Sequence, residues 1–370
     1  MGNSSASTNL ENLVLHQLQP IADAADLTIP DAVRKRIGVV GAGAITRVAH
    51  LPAYRKAGLE ILGVCDLDPD RAESVRAEFA LPRTYTLDEL LDDPAVEVVD
   101  VAVVPEAQPA IIRRALAAGK HVLAQKPLAV DSKIGAELVA EARAAGLSLV
   151  VNHQMRYGEG MAAARAMAAA GWIGEITAVT VDVDIETDFT AWDWLVTSPR
   201  LDLMYHSIHY LDTVRALLGD PSSVYCVGGR LPGQAVAGET RTLTTLTFDG
   251  DRRALIKVNH ENHTGDQSAT FRIDGSHGAI RGTIGLLYDY PHGRPDTVEV
   301  HSAVLPTDGW MPYPVTGRWI PDAFAGPMRA LLLEIAGQGA APTTAADGLR
   351  TLQLVETCYA SIESGQVQRF

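Results

Sequence analysis

The sequence contains little cysteine and no long apolar run. Its three cysteines, Cys65, Cys226 and Cys358, are scattered and odd in number, which does not suit a disulfide framework and favours a reducing compartment. No stretch reaches the ~20 apolar residues that a helix needs to span a bilayer. The N-terminus also lacks the basic and apolar segments of a secretory signal. We therefore expect a cytoplasmic protein that does not enter a membrane.

Basic residues are also in short supply. The chain has 31 lysines and arginines against 45 aspartates and glutamates, a formal net charge of -14 at pH 7. Proteins that bind nucleic acids or anionic lipids carry basic patches, and the only basic run here covers residues 34–36. A polyanionic partner is therefore not expected. The length of 370 residues and the apolar fraction of 47% predict two packed globular domains.

Residues 36–152 alternate between short β-rich apolar runs and alanine-rich helical stretches, which predicts an α/β domain with a doubly wound parallel sheet. The predicted strands cover residues 37–40, 60–64, 96–104, 121–124 and 148–151. The predicted helices between them cover residues 44–57, 69–79, 106–118 and 131–145.

After Asn152 the pattern changes to strand-like runs separated by glycine and aspartate turns, which predicts an α+β domain over residues 153–370 with a large open, mostly antiparallel sheet. The predicted strands cover residues 176–185, 243–248, 253–258, 269–273 and 279–281, and the predicted helices cover 159–170, 202–218, 322–337 and 345–364. We expect the last helix to pack back towards the first domain. Residues 1–35 are either an arm that packs on a neighbour or a loose tail.

A glycine pair at the tip of the first predicted strand indicates a dinucleotide site. Gly41 and Gly43 stand immediately before a helix, where a tight turn brings backbone amides and the positive helix N-terminus to a pyrophosphate. The amides of Ala44 and Ile45 begin that helix. Thr46 occupies the position where such motifs carry a third glycine for close helix–strand packing.

Asp66 supports this interpretation because it follows the second predicted strand, where a carboxylate can accept both ribose hydroxyls. The same carboxylate would repel a 2′-phosphate, which favours NAD over NADP. Arg71 lies close by in sequence and could offset this repulsion. A turn without a ligand, with Asp66 capping a helix, is the alternative that this motif alone leaves open.

Around Lys126 the chain resembles the glucose-fructose oxidoreductase, inositol dehydrogenase and MocA (Gfo/Idh/MocA) family. The resemblance rests on residues 124–129, on residues 152–156 at the predicted domain junction, and on residues 324–328 and 346–350. It implies an N-terminal Rossmann domain in which a Glu-Lys-Pro tripeptide, often with a cis proline bond, points its lysine at the nicotinamide. Gln125 replaces the glutamate here, and both Gln125 and Lys126 are expected to contact the cofactor.

The resemblance also implies a catalytic helix with the pattern D-x-x-x-H-x-x-D. His209 and Asp212 match this pattern, but Tyr205 stands where the first aspartate belongs. The resemblance implies that His209 accepts or donates the proton, a role that suits an imidazole with a pKa of ~6.5. It also implies that Lys126 hydrogen-bonds the reacting oxygen. Tyr205, four residues before His209, is expected to bind a substrate hydroxyl or to share the proton.

Further side chains are candidates for substrate contact because they carry an imidazole, an indole, a charged group or an amide. These are His206, Asp212, Arg156, Trp194, His260 and Asn262. For His260 and Asn262, strand alternation also predicts that both lie on one face of the sheet. Each of these candidates could equally be a core or surface residue. No histidine pair has a spacing that fixes metal ligation by itself, so no metal site is predicted.

We expect an NAD-dependent oxidoreductase that transfers a hydride to or from a secondary carbinol of a sugar, cyclitol or sugar acid. Two alternatives remain open: an enzyme that retains NAD for transient oxidation in an elimination, hydrolysis or epimerisation, and a non-catalytic NAD-binding regulator. The open sheet suggests a homodimer or homotetramer.

Overall fold

The computed structural model describes residues 17–306 and 309–370. Within them, the first part of the chain forms a six-stranded sheet with all pairings parallel and the order β3-β2-β1-β4-β5-β6. The strands are β1 Ile37–Val40, β2 Ile61–Cys65, β3 Arg83–Thr84, β4 Val98–Val101, β5 His121–Ala124 and β6 Leu149–Val151. The predicted doubly wound α/β fold is confirmed.

Crossover helices connect these strands. They are α1 Leu51–Lys56, α2 Pro69–Phe79, α3 Leu87–Asp92, α4 Gln108–Ala117 and α5 Ser132–Ala145. All residues of β1 and β4 are buried, as expected for central parallel strands covered on both faces. The helix predicted over 44–57 instead contains a π-helical turn, Thr46–His50, before α1. The sequence prediction missed β3 and α3, although Thr86 and Glu89 form a capping box at the start of α3.

The second part of the chain forms a nine-stranded sheet among the described residues, with the order β14-β13-β12-β11-β7-β10-β9-β8-β15. Its strands are β7 Ile176–Asp184, β8 Ser223–Gly229, β9 Arg241–Thr247, β10 Arg253–Asn259, β11 Ser268–Gly275, β12 Gly278–Thr283, β13 Thr297–Ser302, β14 Met311–Tyr313 and β15 Gln368–Arg369. Among the described strands of this sheet only the β7–β10 pair is parallel, so the predicted mostly antiparallel sheet is confirmed.

The helices of this part of the chain are α6 Glu159–Ala169, α7 Asp193–Val196, α8 Ile208–Leu218, α9 Ala325–Ile335 and α10 Ala345–Ser364. Of these, α6, α8 and α10 pack on the second sheet, whereas α9 packs on β5 and β6 of the first sheet. A second π-helical turn, Asp202–His206, leads into α8 and replaces the first turns of the helix predicted over 202–218. None of the helices in the described ranges has the length and apolar character needed to cross a membrane.

The last helix packs on the first domain. Glu356 of α10 accepts a hydrogen bond from the backbone amide of Ser132 at 2.7 Å. Part of the N-terminal segment also packs on this chain: residues 17–25 are helical, Ile21 is buried, and the carbonyl of Thr28 accepts a hydrogen bond from Arg329 at 2.9 Å. The rest of the predicted arm or tail, residues 1–16, lies outside the described residues.

Candidate active site

A cavity of about 1800 Å³ is lined by residues of both domains. On one side it meets the carboxyl ends of β1, β2, β4 and β5, the edge at which open parallel sheets bind ligands. On the other side it meets the segment after β7, the π-helical turn before α8 and the loop after β12. It therefore has the position of an active site between two domains.

Gly41 makes the turn at the tip of β1. Its φ angle is +106°, and a Cβ at this position would lie 2.2 Å from the carbonyl oxygen of Ala102, so only glycine fits. Thr46 is fully buried and its hydroxyl donates to the Gly41 carbonyl at 2.8 Å. The threonine at the third glycine position therefore stabilises the turn rather than disrupting it.

Asp66 is held at the end of β2. One carboxylate oxygen accepts the amide of Ala42 at 2.8 Å and the other accepts the amide of Asp68 at 3.0 Å. The Arg71 guanidinium lies 3.6 Å from the same carboxylate. Gly41, Gly43, Ala44, Ile45 and Asp66 all line the cavity, so the predicted cofactor residues lie together. A turn without a side chain beside an anchored carboxylate fits a dinucleotide.

Lys126 follows β5 and reaches across to the second domain. Its peptide bond to Pro127 is cis. The side-chain amide of Gln108 donates to the carbonyls of Gln125 and Pro127, each at 2.8 Å, which ties this turn together. The Lys126 ammonium donates to the carbonyl oxygen of Tyr205. Burial lowers the pKa of Lys126 to about 8.

A buried polar network that the sequence analysis missed supports this turn. His50 lies 2.7 Å from Asp100 through Nδ1 and 3.1 Å from the amide nitrogen of Gln125 through Nε2. The Tyr54 hydroxyl donates to the same Asp100 oxygen at 2.9 Å, and the Gln125 oxygen accepts the Lys126 amide at 2.8 Å. In this arrangement Nδ1 can donate to Asp100 while Nε2 accepts from the Gln125 amide. Gln125 thus orients the backbone of Lys126.

His209 enters the cavity from the first turn of α8. Its ring meets that of Trp319 edge to face, with 5.1 Å between the centroids, and its Nδ1 is buried without a hydrogen-bond partner among the described residues. Burial, together with the charges of Lys126, His153 and His206, lowers the pKa of His209 well below its usual value. His209 is therefore neutral at pH 7.

His206 lies in the preceding π-helical turn and also lines the cavity. Its Nδ1 lies 3.4 Å from Oδ1 of Asp202, and its ring stands edge to face with that of His260 at 4.4 Å. His260 is buried behind it, with Nε2 at 2.9 Å from the same Asp202 oxygen and Nδ1 at 2.9 Å from the Thr187 hydroxyl.

Asp202, His206 and His260 could in principle ligate a metal, because their ligand atoms all lie within 4.8 Å of one another. The carboxylate of Asp202, however, already accepts the hydroxyls of Ser207 at 2.8 Å and Thr242 at 2.5 Å in addition to His260. Asp202 and His260 are thus satisfied by hydrogen bonds, whereas Nδ1 of His206 is buried without a hydrogen-bond partner among the described residues.

The comparisons with known proteins agree with this geometry. Residues 35–153 match the family described as "Oxidoreductase family, NAD-binding Rossmann fold", and residues 161–281 match the "GFO/IDH/MocA C-terminal domain". The chain belongs to the Gfo/Idh/MocA oxidoreductase family. It is an NAD(P)-dependent oxidoreductase with an NAD-binding Rossmann domain.

Named relatives in this family act on sugars and on a cyclic diol. D-apiose dehydrogenase of Paraburkholderia graminis is 26% identical over 337 residues, which cover 89% of this chain and 88% of the relative. Trans-1,2-dihydrobenzene-1,2-diol dehydrogenase of Mus musculus is 31% identical over 266 residues, which cover 59% of this chain and 79% of the relative. An oxidoreductase from Agrobacterium radiobacter, solved with NAD+, L-tartaric acid and magnesium, shares the fold with a TM-score of 0.79 and 22% identity, over 91% of this chain and 98% of that one.

The departure from the family pattern at Tyr205 has a structural consequence. Tyr205 lines the cavity and its ring packs edge to face on that of Trp194, with 4.9 Å between the centroids. Burial raises the pKa of its hydroxyl. Its backbone carbonyl accepts the Lys126 ammonium, so a backbone oxygen supplies Lys126 with an acceptor where the family pattern has an aspartate.

Arg156 and Asp212 do not line the cavity, against the expectation that they contact substrate. Arg156 donates to both oxygens of Asp212, at 2.5 and 2.6 Å, and to Asp347 at 2.6 Å. Asp212 also accepts the Thr351 hydroxyl at 2.9 Å. The two residues satisfy each other as a buried ion pair that joins α8 to α10.

His260 and Asn262 also lie outside the cavity lining. Strand β10 ends at Asn259, so the predicted alternation does not extend to these residues. Asn262 donates to the backbone carbonyls of Asp184 at 3.2 Å and Asp266 at 2.8 Å, which makes it part of a turn. His206 and Trp194 are the predicted substrate residues that the structure brings to the cavity. The lining also includes Trp319 and Tyr290, which no local pattern marked.

Proposed function

We propose that this protein is an NAD-dependent dehydrogenase or reductase that transfers a hydride between nicotinamide and a secondary carbinol or ketone of a sugar, cyclitol or sugar acid. The observation that carries this proposal is the convergence of Lys126, His206 and His209 in the cavity that also contains the Gly41 turn and Asp66. Lys126 can donate a hydrogen bond to the reacting oxygen, and the two histidines can accept a proton, beside a site that fits a dinucleotide.

NAD is the proposed cofactor. When bound, it supplies the hydride acceptor or donor. The amides that follow Gly41 would hold its pyrophosphate, and the Asp66 carboxylate, with a side chain 12% exposed, would accept the ribose hydroxyls. A 2′-phosphate would place a second anion beside this carboxylate. Arg71 is half-exposed and only partly offsets that repulsion.

Lys126 and His209 act on the reacting oxygen. Because burial lowers the pKa of Lys126 to about 8, its ammonium is still charged at pH 7 and can stabilise developing alkoxide charge. The neutral imidazole of His209 can hydrogen-bond the same hydroxyl and orient the carbinol. Tyr205 and Trp194, with the aromatic rings of Trp192 and Tyr290 nearby, present apolar faces to sugar C–H groups.

A direct spectrophotometric assay tests the proposal. NAD+ with a panel of sugars, cyclitols and sugar acids should produce NADH absorbance at 340 nm for at least one member. Lys126→Ala and His209→Ala should abolish the signal, whereas His263→Gln, whose side chain is 62% exposed on the second domain, should retain it. Activity that survives both of the first two substitutions would overturn the residue assignment. Product without net NADH would favour the redox-neutral alternative.

We also propose that the open face of the second sheet pairs two copies of the chain. Large apolar side chains on this face are 39% to 43% exposed and lie on neighbouring strands, and contiguous exposed apolar patches mark interaction surfaces. The side chains are Tyr225, Val227, Leu243 and Leu255. Light scattering should give a dimer or a tetramer, and Leu243→Lys should shift it towards monomer.

A further inference from the structure

The part of the cavity that the second domain lines is rich in aromatic rings. Three of the five tryptophans of the chain lie there, Trp192, Trp194 and Trp319. Oxidation of a carbinol requires a hydride acceptor, a proton acceptor and a donor to the reacting oxygen, and none of these is an indole. The tryptophans are therefore evidence about the rest of the substrate.

Two of the aromatic rings are too exposed to belong to the core. Trp194 is 39% exposed and Tyr290 is 49% exposed, and both line the cavity. The Tyr290 ring stands edge to face with that of Trp192, at 5.9 Å between centroids, as the Trp194 ring does with that of Tyr205. Exposed apolar surface inside a cavity is favourably buried by an apolar group. We call these four rings the apolar end of the site.

Buried polar atoms without partners lie at a different place in the cavity. The indole nitrogen of Trp319 and the side-chain oxygen of Gln154 have no hydrogen-bond partner among the described residues, and both residues line the cavity. The Trp319 ring meets that of His209 at 5.1 Å, and the turn that carries Gln154 packs on α8. Unpaired buried polar groups are costly, so substrate hydroxyls would supply their partners. With Lys126 and His209 they form the polar end of the site.

The cavity provides no free cation for an anionic group on the substrate. Within residues 153–306 and 309–370, no lysine or arginine lines it. Three carboxylates of the second domain line it instead, those of Glu186, Asp188 and Asp289. In the first domain, Arg71 and Arg114 each pair with an aspartate of that domain. A substrate carboxylate or phosphate would thus take Lys126 from the reacting oxygen or stay unpaired, which is disfavoured.

We infer, on the basis of the proposed function, that the substrate is an uncharged polyol ring joined to an apolar group, as in an aryl glycoside. The polyol ring occupies the polar end, and the apolar group lies against the rings of the apolar end. The carbinol loses a hydride to NAD+ and a proton to His209, which gives a ketone and NADH, and the glycosidic bond stays intact. The apolar group contributes binding energy away from the reacting carbon. Sugar acids and sugar phosphates do not fit this site.

Binding to the NADH complex tests this inference without turnover. Calorimetric titration compares the phenyl β-D-glycosides of glucose, galactose and xylose with the corresponding methyl β-D-glycosides. At least one phenyl glycoside should bind about tenfold more tightly than its methyl counterpart, because the phenyl ring buries more apolar surface and packs on aromatic rings. Phenyl β-D-glucuronide should bind about tenfold more weakly than the best phenyl glycoside, because its carboxylate has no free cation.

Two results would overturn the inference. One is the failure of every phenyl glycoside to bind more tightly than its methyl counterpart. The other is a glucuronide that binds as tightly as the best phenyl glycoside.

Variants separate the two ends of the site. Trp194→Ala should remove most of the preference for phenyl over methyl glycosides. Trp310→Ala is the matched control and should retain the preference, because the Trp310 ring lies over the Arg281 guanidinium outside the cavity lining. Trp319→Phe keeps a ring but removes the N–H, so it should weaken phenyl and methyl glycosides by the same factor of about ten. A preference that survives Trp194→Ala would contradict the placement of the apolar end.

Turnover distinguishes a failure of this inference from a failure of the proposed function. The phenyl glycoside that binds best is incubated with NAD+ and wild-type protein, and NADH is measured at 340 nm. A glycoside that binds with the expected preference but yields neither NADH nor ketone would contradict the proposed function. NADH formed from free sugars or sugar acids, without any preference for a phenyl glycoside, would contradict the inference instead.

Discussion

Gly41→Ala tests the dinucleotide turn most sharply. A Cβ at this position would lie 2.2 Å from the Ala102 carbonyl oxygen, whereas ordinary contacts begin near 3.4 Å, so the turn must open by about 1.2 Å. The left-handed φ of +106° adds about 1–2 kcal/mol for any residue with a Cβ. Together with an overpacking cost of about 1–3 kcal/mol, Gly41→Ala should lose about 2–5 kcal/mol of stability.

Gly43→Ala is the matched control for this substitution. No atom of the described residues lies within 4 Å of a Cβ built at Gly43, and its φ is not left-handed. It should therefore leave stability unchanged while weakening NADH binding, because the backbone at this second glycine must approach the pyrophosphate.

Thermal unfolding and calorimetric titration with NADH separate the two effects. Gly41→Ala should lower both the unfolding temperature and the NADH affinity, and Gly43→Ala should lower only the affinity. Unchanged NADH affinity in both variants would refute the assignment of this turn to the cofactor. Equal stability of Gly41→Ala and wild type would refute the geometric argument.

Three further predictions follow from the site. The protonated form of Lys126 is expected to be the active one, and burial lowers its pKa to about 8. The kcat/KM of the wild type should therefore fall about tenfold per pH unit above that pH. An active Lys126→Arg variant should lack this alkaline fall, because arginine stays protonated. Asp66→Ser should raise the ratio of NADPH to NADH use at least about tenfold, since Arg71 remains while the repelling carboxylate is gone; an unchanged ratio would contradict the assignment. Arg156→Ala should cost about 3–5 kcal/mol in urea unfolding, because it leaves Asp212 buried without its cation, and should leave KM unchanged; a raised KM with normal stability would return Arg156 to the substrate site.

The cofactor half of the site could be predicted from sequence because its parts are local. The Gly41 turn, Asp66 and Lys126 each follow a strand, and parallel strands bring their carboxyl ends to one edge of a sheet. The role proposed for Lys126 comes from the resemblance to the family, because no residue spacing encodes its chemistry. Thr46 departs from the motif at the position of the third glycine, yet its hydroxyl stabilises the turn by donating to the Gly41 carbonyl.

The substrate half could not be predicted because its contacts join distant segments. Asp202 and His260 are 58 residues apart and meet through the packing of the π-helical turn on the second sheet. His50 and Asp100 are 50 residues apart, although a carboxylate within the apolar run of β4 was a visible signal of a buried network. Arg156 and Asp212 were predicted to contact substrate because they lie near the helix that the resemblance implies to be catalytic. In the structure they pair with each other instead.

Transfer of deuterium tests the central claim most directly. The panel member with the highest turnover, labelled with deuterium at its reacting carbinol carbon, is incubated with NAD+ and wild-type protein, and the dinucleotide is analysed by mass spectrometry. We expect each reduced nicotinamide to carry one deuterium and to form in equal amount to the ketone, and we expect neither product with Lys126→Ala. Product that forms while the dinucleotide gains no deuterium would contradict that claim.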